Sequence, residues 1–427
     1  MSGRLRILTN YLRSRRSSRF RSRDDLDAWQ DRKVVRHLRR IVPFSPYLQD
    51  RFGALPLESW RELPTIGKVE MMENFDRLNT VGLRKNEAFE NALKAEETRD
   101  FSPTIGKYTV GLSSGTSSSR GLFVTSPTEQ AQWAGSVLGK CLPSSILNQH
   151  RIALFLRSNS NLYGAVRSKR IQFEFFDLLK SIDEHVEHLH AYSPTSLVGP
   201  PSLLRMLAAR EDLKIQPQRV ISAAEVMEPQ DREAIAARFG EPVHQIYQAT
   251  EGFLGASRNL DGRIVLNEDL VVIEKEWIDR EQRRFTPIIT DFRRVSQPII
   301  RYRLDDVLIE HPDKDSIFTV VERIEGRCDD VIRFGEATCF PDFIRHAILR
   351  ASPEIRDYRA QQLLDGSLEI ALDGPDSCQA PVAVQIDELA RNLKTSAPPI
   401  RFVEFRKHEV ASGRKLRRIS RQTSESK

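Results

Sequence analysis

Between residues 151 and 239, short apolar runs such as 152–156 alternate with helical stretches such as 201–210. That alternation limits the chain to folds in which helices cover a sheet. From 262 to 321 the runs are mostly strand-like, which predicts a β subdomain. Residues 24–97 read as helical, with Leu55-Pro56 and Leu63-Pro64 marking turns between helices. After Arg327 the pattern changes. Residues 358–364, an Asp365-Gly366 turn and residues 367–372 predict a hairpin, followed by a helix near 386–393 and a strand over 400–405. The expected fold class is therefore α/β: a large N-terminal α/β domain with a β subdomain, then a small C-terminal α+β domain. No repeat is visible, and the Arg/Ser/Lys-rich residues 420–427 are expected to form a disordered tail.

Residues 113–121, Ser-Ser-Gly-Thr-Ser-Ser-Ser-Arg-Gly, concentrate hydroxyls, two glycines and an arginine between strand-like residues 107–112 and 121–125. Strand, loop, strand is not a Walker context, and no glycine pair is followed by the lysine that a P-loop needs. Backbone amides and hydroxyls of such a hairpin can still wrap phosphate, with Arg120 supplying charge. Taken alone, the stretch reads equally well as a Ser-rich turn. Ser126-Pro127-Thr128-Glu129 is a capping box with proline at the first helical position, so a helix runs from there toward Gly139.

Three further motifs follow in order: Tyr247-Gln248-Ala249-Thr250-Glu251, Ile300-Arg301-Tyr302-Arg303-Leu304-Asp305-Asp306 and Gly326-Arg327-Cys328-Asp329-Asp330. With these the chain, from about Val42 to Arg418, resembles the adenylate-forming superfamily of acyl-CoA synthetases, and within it the phenylacetate-CoA ligase-like branch. Val42-Pro43-Phe44 and Phe340-Pro341 add to the resemblance.

The resemblance implies an enzyme that uses ATP and Mg²⁺ to turn a carboxylic acid into an acyl-adenylate and pyrophosphate, then transfers the acyl group. Coenzyme A is the leading acceptor. An amine or a carrier-protein thiol would use the same first half-reaction, and a degenerate nucleotide-binding protein without turnover is a reading of another class. By the same resemblance Ser113, Ser114, Gly115, Thr116, Ser117, Ser118 and Arg120 match the phosphate loop, with Ser118 in place of a glycine and Arg120 where the family has Pro-Lys. Thr250 matches the hydroxyl on the α-phosphate and Glu251 the Mg²⁺ carboxylate; read alone, the pair suits a helix N-cap. Ala223, Ala224 and Glu225 fall in the adenine-holding segment, and Tyr247, opening the Tyr247–Glu251 motif, is a further cofactor-binding residue. Asp306 matches the carboxylate that takes both ribose hydroxyls, with Arg327 as its partner. Asp329 matches the hinge of a mobile C-terminal domain, which divides the chain at 24–328 and 329–419. In Ser412-Gly413-Arg414-Lys415 the catalytic lysine is Lys415 with a one-residue shift, or the position is Arg414 without one.

Charge and cysteine content exclude other classes. The first 23 residues hold eight arginines and no acid, and taking those charges from the formal +6 leaves the rest at −2. The basicity is one arm rather than a nucleic-acid channel, so no nucleic-acid partner is expected. Leu5, Leu8 and Leu12, flanked by Ile7 and Tyr11, lie on one helical face, so residues 1–23 read as a docked helix with a solvated arginine face, or as a targeting or membrane-contacting arm. Cys141, Cys328, Cys339 and Cys378 are dispersed without a C-x-x-C pair, against a disulfide framework or zinc site. With no apolar run of membrane-spanning length, a cytoplasmic enzyme is expected. His185, His188 and His190 read as a solvated strand edge rather than a metal site.

Overall fold

The computed structural model describes residues 2–16, 20–98, 100, 104–113, 120–156, 168–178, 180–258, 261–313, 316–327, 331–339, 341–406 and 416–422. The chain divides into two compact units, one of residues 1–304 and 310–323, the other of 305–309 and 324–427.

The first unit opens with helices α1 (Gly3–Arg15), α2 (Arg23–Ile41), α3 (Pro46–Phe52), α4 (Lys68–Glu73), α5 (Phe75–Leu78) and α6 (Lys85–Thr98). Serine side chains start three of them: Ser2, Ser22 and Ser45 each accept from a backbone N–H three residues on. A hairpin follows, with β1 (Thr109–Leu112) antiparallel to β2 (Leu122–Thr125). Helix α7 (Pro127–Cys141) begins at the predicted capping box, in which the Ser126 and Glu129 side chains reciprocally cap backbone N–H groups.

The alternating stretch forms a parallel sheet. Strand β3 (His150–Leu156) pairs with β4 (Ile171–Asp177) on one side and β5 (Ser196–Gly199) on the other; β6 (Arg219–Ser222) and β7 (Val243–Ala249) extend the sheet. Helices α8 (Ile182–Tyr192), α9 (Pro201–Ala208) and α10 (Pro229–Phe239) are the crossovers. Strands β3 and β5 read as near-continuous apolar runs because both faces are covered. At β7 the topology changes: β8 (Gly252–Ser257) returns antiparallel to it, β9 (Ile264–Leu266) pairs with β8, and β10 (Val272–Asp279), β11 (Arg284–Asp291) and β12 (Ile299–Arg303) form an antiparallel ladder.

Strands β13 (Asp306–Glu310) and β14 (Val320–Arg327) lie at the division between the units in sequence. The second unit contains the hairpin β15 (Ile332–Phe334) and β16 (Ala337–Cys339), helices α11 (Pro341–Ala351) and α12 (Gln379–Asn392), and a sheet in the order β19 (Ile400–Val403), β18 (Leu368–Asp373), β17 (Asp357–Gln362), β20 (Ile419–Arg421). Its core joins Phe334, Ile344, Ile348, Tyr358, Ile370 and Ile386. The Asp365-Gly366 turn is present, with Gly366 at φ +83°, a left-handed conformation that costs glycine nothing sterically.

Three sequence expectations are corrected. Ser420 and Arg421 are not tail but strand, paired in parallel with Gln361 and Gln362, while the Arg418 guanidinium meets Asp357 at 2.7 Å beside them. The three histidines lie on α8, not on a strand edge. His185 is buried edge-on against Phe155 at 5.1 Å, His188 stacks on Phe176 at 4.3 Å, and burial lowers the pKa of His185. Helix α1 docks, but with the opposite face. Gly135 and Gly139 of α7 leave a notch in which a Cβ would stand 2.3 Å from the Ile7 carbonyl and 2.7 Å from that of Tyr11. The flat Ile7, Tyr11, Ser14 side enters that notch, and the leucines face out.

Candidate active site

Strands β7 and β8 join through Thr250 and Glu251, which form the turn of a hairpin closed by the Ala249–Gly252 pair. This replaces the helix N-cap that the dipeptide alone suggests. Thr250 and Glu251 line a pocket of about 680 Å³, mouth included. Its other walls are Phe123 and Thr125 of β2, Glu129, Gln132 and Trp133 of α7, Gln248 to Phe253 of the hairpin, Asp291 at the end of β11, and Arg293 and Arg294 from the loop that follows it.

Buried polar contacts hold those walls together. Arg294 donates to the Thr250 carbonyl at 2.6 Å and to Gln297 Oε1 at 3.0 Å. Gln297 in turn accepts from the Val124 N–H and donates to the Leu122 carbonyl, both at 3.0 Å, which fastens the loop to β2. Arg293 reaches Ser136 Oγ of α7 at 3.1 Å, and its own N–H donates to Asp291 at 2.8 Å. Glu129 is the hub: Oε1 accepts from the N–H groups of Val295 (2.6 Å) and Ser296 (2.8 Å), and Oε2 from Ser126 and the Ser296 hydroxyl. Burial alone would raise its pKa, but the hydrogen bonds from Ser126 and Ser296 hold it below the usual carboxylate value. Asp291, buried with weaker compensation from Arg293, is shifted upward.

The other sequence-predicted residues fall as follows. Ser113 closes the base of the β1–β2 loop: its N–H donates to the Gly121 carbonyl and its hydroxyl accepts from the Gly121 N–H, both at 2.7 Å. Ser114, Gly115, Thr116, Ser117 and Ser118 lie outside the described residues, as do Asp329, Arg414 and Lys415. Arg120, expected to face phosphate, forks onto Glu96 of α6 at 2.5 and 2.8 Å and donates to the Ser113 carbonyl. Its charge is thus already paired. Lys68, which the sequence reading missed, lays its stem over Gly121, where a Cβ would stand 3.2 Å from Cε.

Ala223 donates its N–H to the Gly199 carbonyl, and Ala224 holds φ at +72°. A left-handed alanine costs roughly 1 kcal/mol or more, so the end of β6 is a strained backbone site of the kind that clusters at functional positions. The Glu225 carboxylate accepts from the Ser202 N–H at the start of α9 at 3.4 Å. Tyr247 is buried in β7, and in the second unit Asp306 opens β13 half-buried while Arg327 ends β14.

No family model and no curated protein matches the chain in sequence. Solved structures do match in fold. The crystal structure of 2-hydroxyisobutyryl-CoA ligase in the postadenylation state with 2-HIB-AMP superposes with a TM-score of 0.65 over 92% of this chain and 89% of that one, at 15% identity. The chain has the fold of the adenylate-forming ligases. That fold is shared with GH3.15 acyl acid amido synthetase (TM-score 0.58, 12% identity, 88% and 86% coverage) and with the amide bond synthetase McbA from Marinactinospora thermotolerans (0.52, 15%, 71% and 66%). Within the adenylate-forming fold the pocket sits where the parallel sheet gives way to the antiparallel ladder, at the turn after β7.

Proposed function

We propose that the protein condenses a carboxylic acid with ATP. A carboxylate oxygen attacks the α-phosphorus, the bond to the β-phosphate breaks, and pyrophosphate leaves an acyl-adenylate. The observation that carries this reading is the Thr250-Glu251 turn, presented at the pocket and held through the Thr250 carbonyl by Arg294, which lines the same pocket. Two anions must meet in line, which requires fixed donors rather than flexible ones. The Thr250 hydroxyl contacts the α-phosphate in this scheme. Phe123 and Trp133 offer an apolar wall for the carbon skeleton of the acid.

The residues suit Mg²⁺. Glu251 is assigned as the hard ligand on the resemblance and on its place at the pocket turn, while Glu129 has both oxygens committed to N–H and O–H donors and Asp291 lies beside Arg293. One carboxylate plus phosphate oxygens is how this cation is commonly bound, and it would neutralise charge on the departing pyrophosphate. Asp306 with Arg327 is assigned to the ribose, Ala223 to Glu225 and Tyr247 to the adenine, Asp329 to a hinge, and Lys415 or Arg414 to the carboxylate–phosphate junction. With Arg120 paired to Glu96, Lys68 is the further cation beside the Ser-rich loop.

In the second step a nucleophile attacks the acyl carbonyl and AMP leaves. Coenzyme A is the proposed acceptor, supported by the likeness to a CoA ligase. The likeness to two amide-forming synthetases favours an amine as the alternative. Incubation with ATP, Mg²⁺ and aryl, aryl-acetic and fatty acids, with and without coenzyme A, tests both steps. An acyl-AMP mass with one acid class supports adenylation, and an acyl-CoA mass fixes the acceptor. ATP left intact with every acid would refute the proposal.

A further inference from the structure

Helix α1 shows α7 a face of Ile7, Tyr11 and Ser14, and shows solvent something less expected. At 3.6 residues per turn, Leu5, Leu8 and Leu12 fall on one outward face, where they are 50%, 43% and 47% exposed. The same geometry sets Arg4 and Arg15 along one edge of the leucine stripe, and Arg6 and Arg13 on its other flank, about a quarter-turn past Leu5 and beyond Thr9. Helix α1 contains no acidic residue, and neither do residues 142–149, whose backbone meets Tyr11 and Arg15 through Ile146 and Ser144.

We infer that α1 is an interfacial helix that seats the protein on an anionic phospholipid surface, its three leucines entering the boundary between headgroups and acyl chains and its arginines meeting lipid phosphates. An apolar stripe bordered on both sides by cations is the pattern of a helix lying in the plane of a membrane. Charge complementarity selects the occupant. A second copy of this helix would set arginines against arginines, and three leucines cover far less than the roughly 800 Å² per partner of a stable protein interface. The stripe is also fixed in advance, because the Gly135/Gly139 notch holds the opposite face of α1, so binding requires no folding of the helix. A stripe this small gives reversible attachment.

The test is co-sedimentation of the full chain with phosphatidylcholine vesicles containing about one-third phosphatidylserine, and with phosphatidylcholine alone. Binding is expected to the anionic vesicles only, and to vanish at roughly 0.5 M salt as the Debye length shrinks. The triple variant Leu5→Ser, Leu8→Ser, Leu12→Ser should bind roughly tenfold more weakly, with an unchanged melting temperature and unchanged pyrophosphate release. No vesicle binding, or equal binding to neutral vesicles, overturns the inference. So does undiminished binding by the triple variant, which would make the arginines a mere polycation. Tighter binding to duplex RNA than to vesicles, or a dimer that the triple variant dissociates, would assign the face to another occupant and overturn it as well.

Discussion

The Glu129 carboxylate and Ser296 are joined twice, by the Ser296 backbone N–H at 2.8 Å and the Ser296 hydroxyl at 2.6 Å. A residue that begins a helix as its capping partner therefore also ties down the loop that carries Arg293 and Arg294 into the pocket. Glu129→Ala should strand the N–H groups of Val295 and Ser296 and destabilise the fold by about 3 kcal/mol. The checking measurement is the urea midpoint at constant m-value. The wild-type contribution is full above the ordinary glutamate pKa and fades as pH falls through the lowered folded value. An unchanged midpoint would reduce Glu129 to a dispensable cap.

Arg294 is the link between that loop and the Thr250-Glu251 turn. Arg294→Lys keeps the charge but cannot fork to the Thr250 carbonyl and Gln297 together, so the turn should lose its fixed position. Pyrophosphate release should fall by about 100-fold, the scale at which misplacement of reacting groups is felt. Near-wild-type kinetics would show that the turn is held by other contacts.

Acid should unfold the protein partly through His37. Burial, then Arg40, lowers its pKa to about 4, and its side chain is hydrogen-bonded to the Arg294 backbone. The unfolded chain takes up a proton near pH 6.5 that the folded chain refuses, so stability is lost as pH drops from there and the loss levels off near pH 4. The full effect is about 3 kcal/mol. His37→Gln should flatten this part of the stability profile. A smaller residual slope is expected from His244, also lowered to about 4 by burial and by Arg219 and Arg232. An identical slope in the variant would show that His37 titrates normally.

Gly135→Ala should release α1, because the added methyl would stand 2.3 Å from the Ile7 carbonyl. Trypsin should then cut among Arg13, Arg15 and Arg16 far faster than in the wild type. Protection at the wild-type level would mean the helices simply slide apart.

The elements that were legible in the sequence are those specified locally. The apolar alternation across 151–239 marked the parallel sheet, Ser126 and Glu129 marked the start of α7, and Asp365-Gly366 marked the β17–β18 turn. What was not legible depends on distant partners. The clamp from Glu129 to Ser296 spans 167 residues, and nothing near Glu129 announces it. Thr250-Glu251 carries none of the glycine or asparagine that flags a two-residue hairpin, so its turn is imposed by the pairing of β7 with β8. Arg120 looked like a phosphate cation because Glu96, 24 residues earlier, could not be placed beside it. The leucines of α1 looked like its docking face because two glycines of α7 carry no apolar signal.

Acid-dependent pyrophosphate release from ATP and Mg²⁺, measured side by side for the wild type and Glu251→Gln, tests the central proposal most directly. The substitution keeps the shape of the turn and removes the charge assigned to the metal. With an acid that the wild type activates, release should fall at least about 100-fold while the melting temperature stays unchanged. Equal release by the two proteins would contradict the assignment of this turn as the place where ATP is activated.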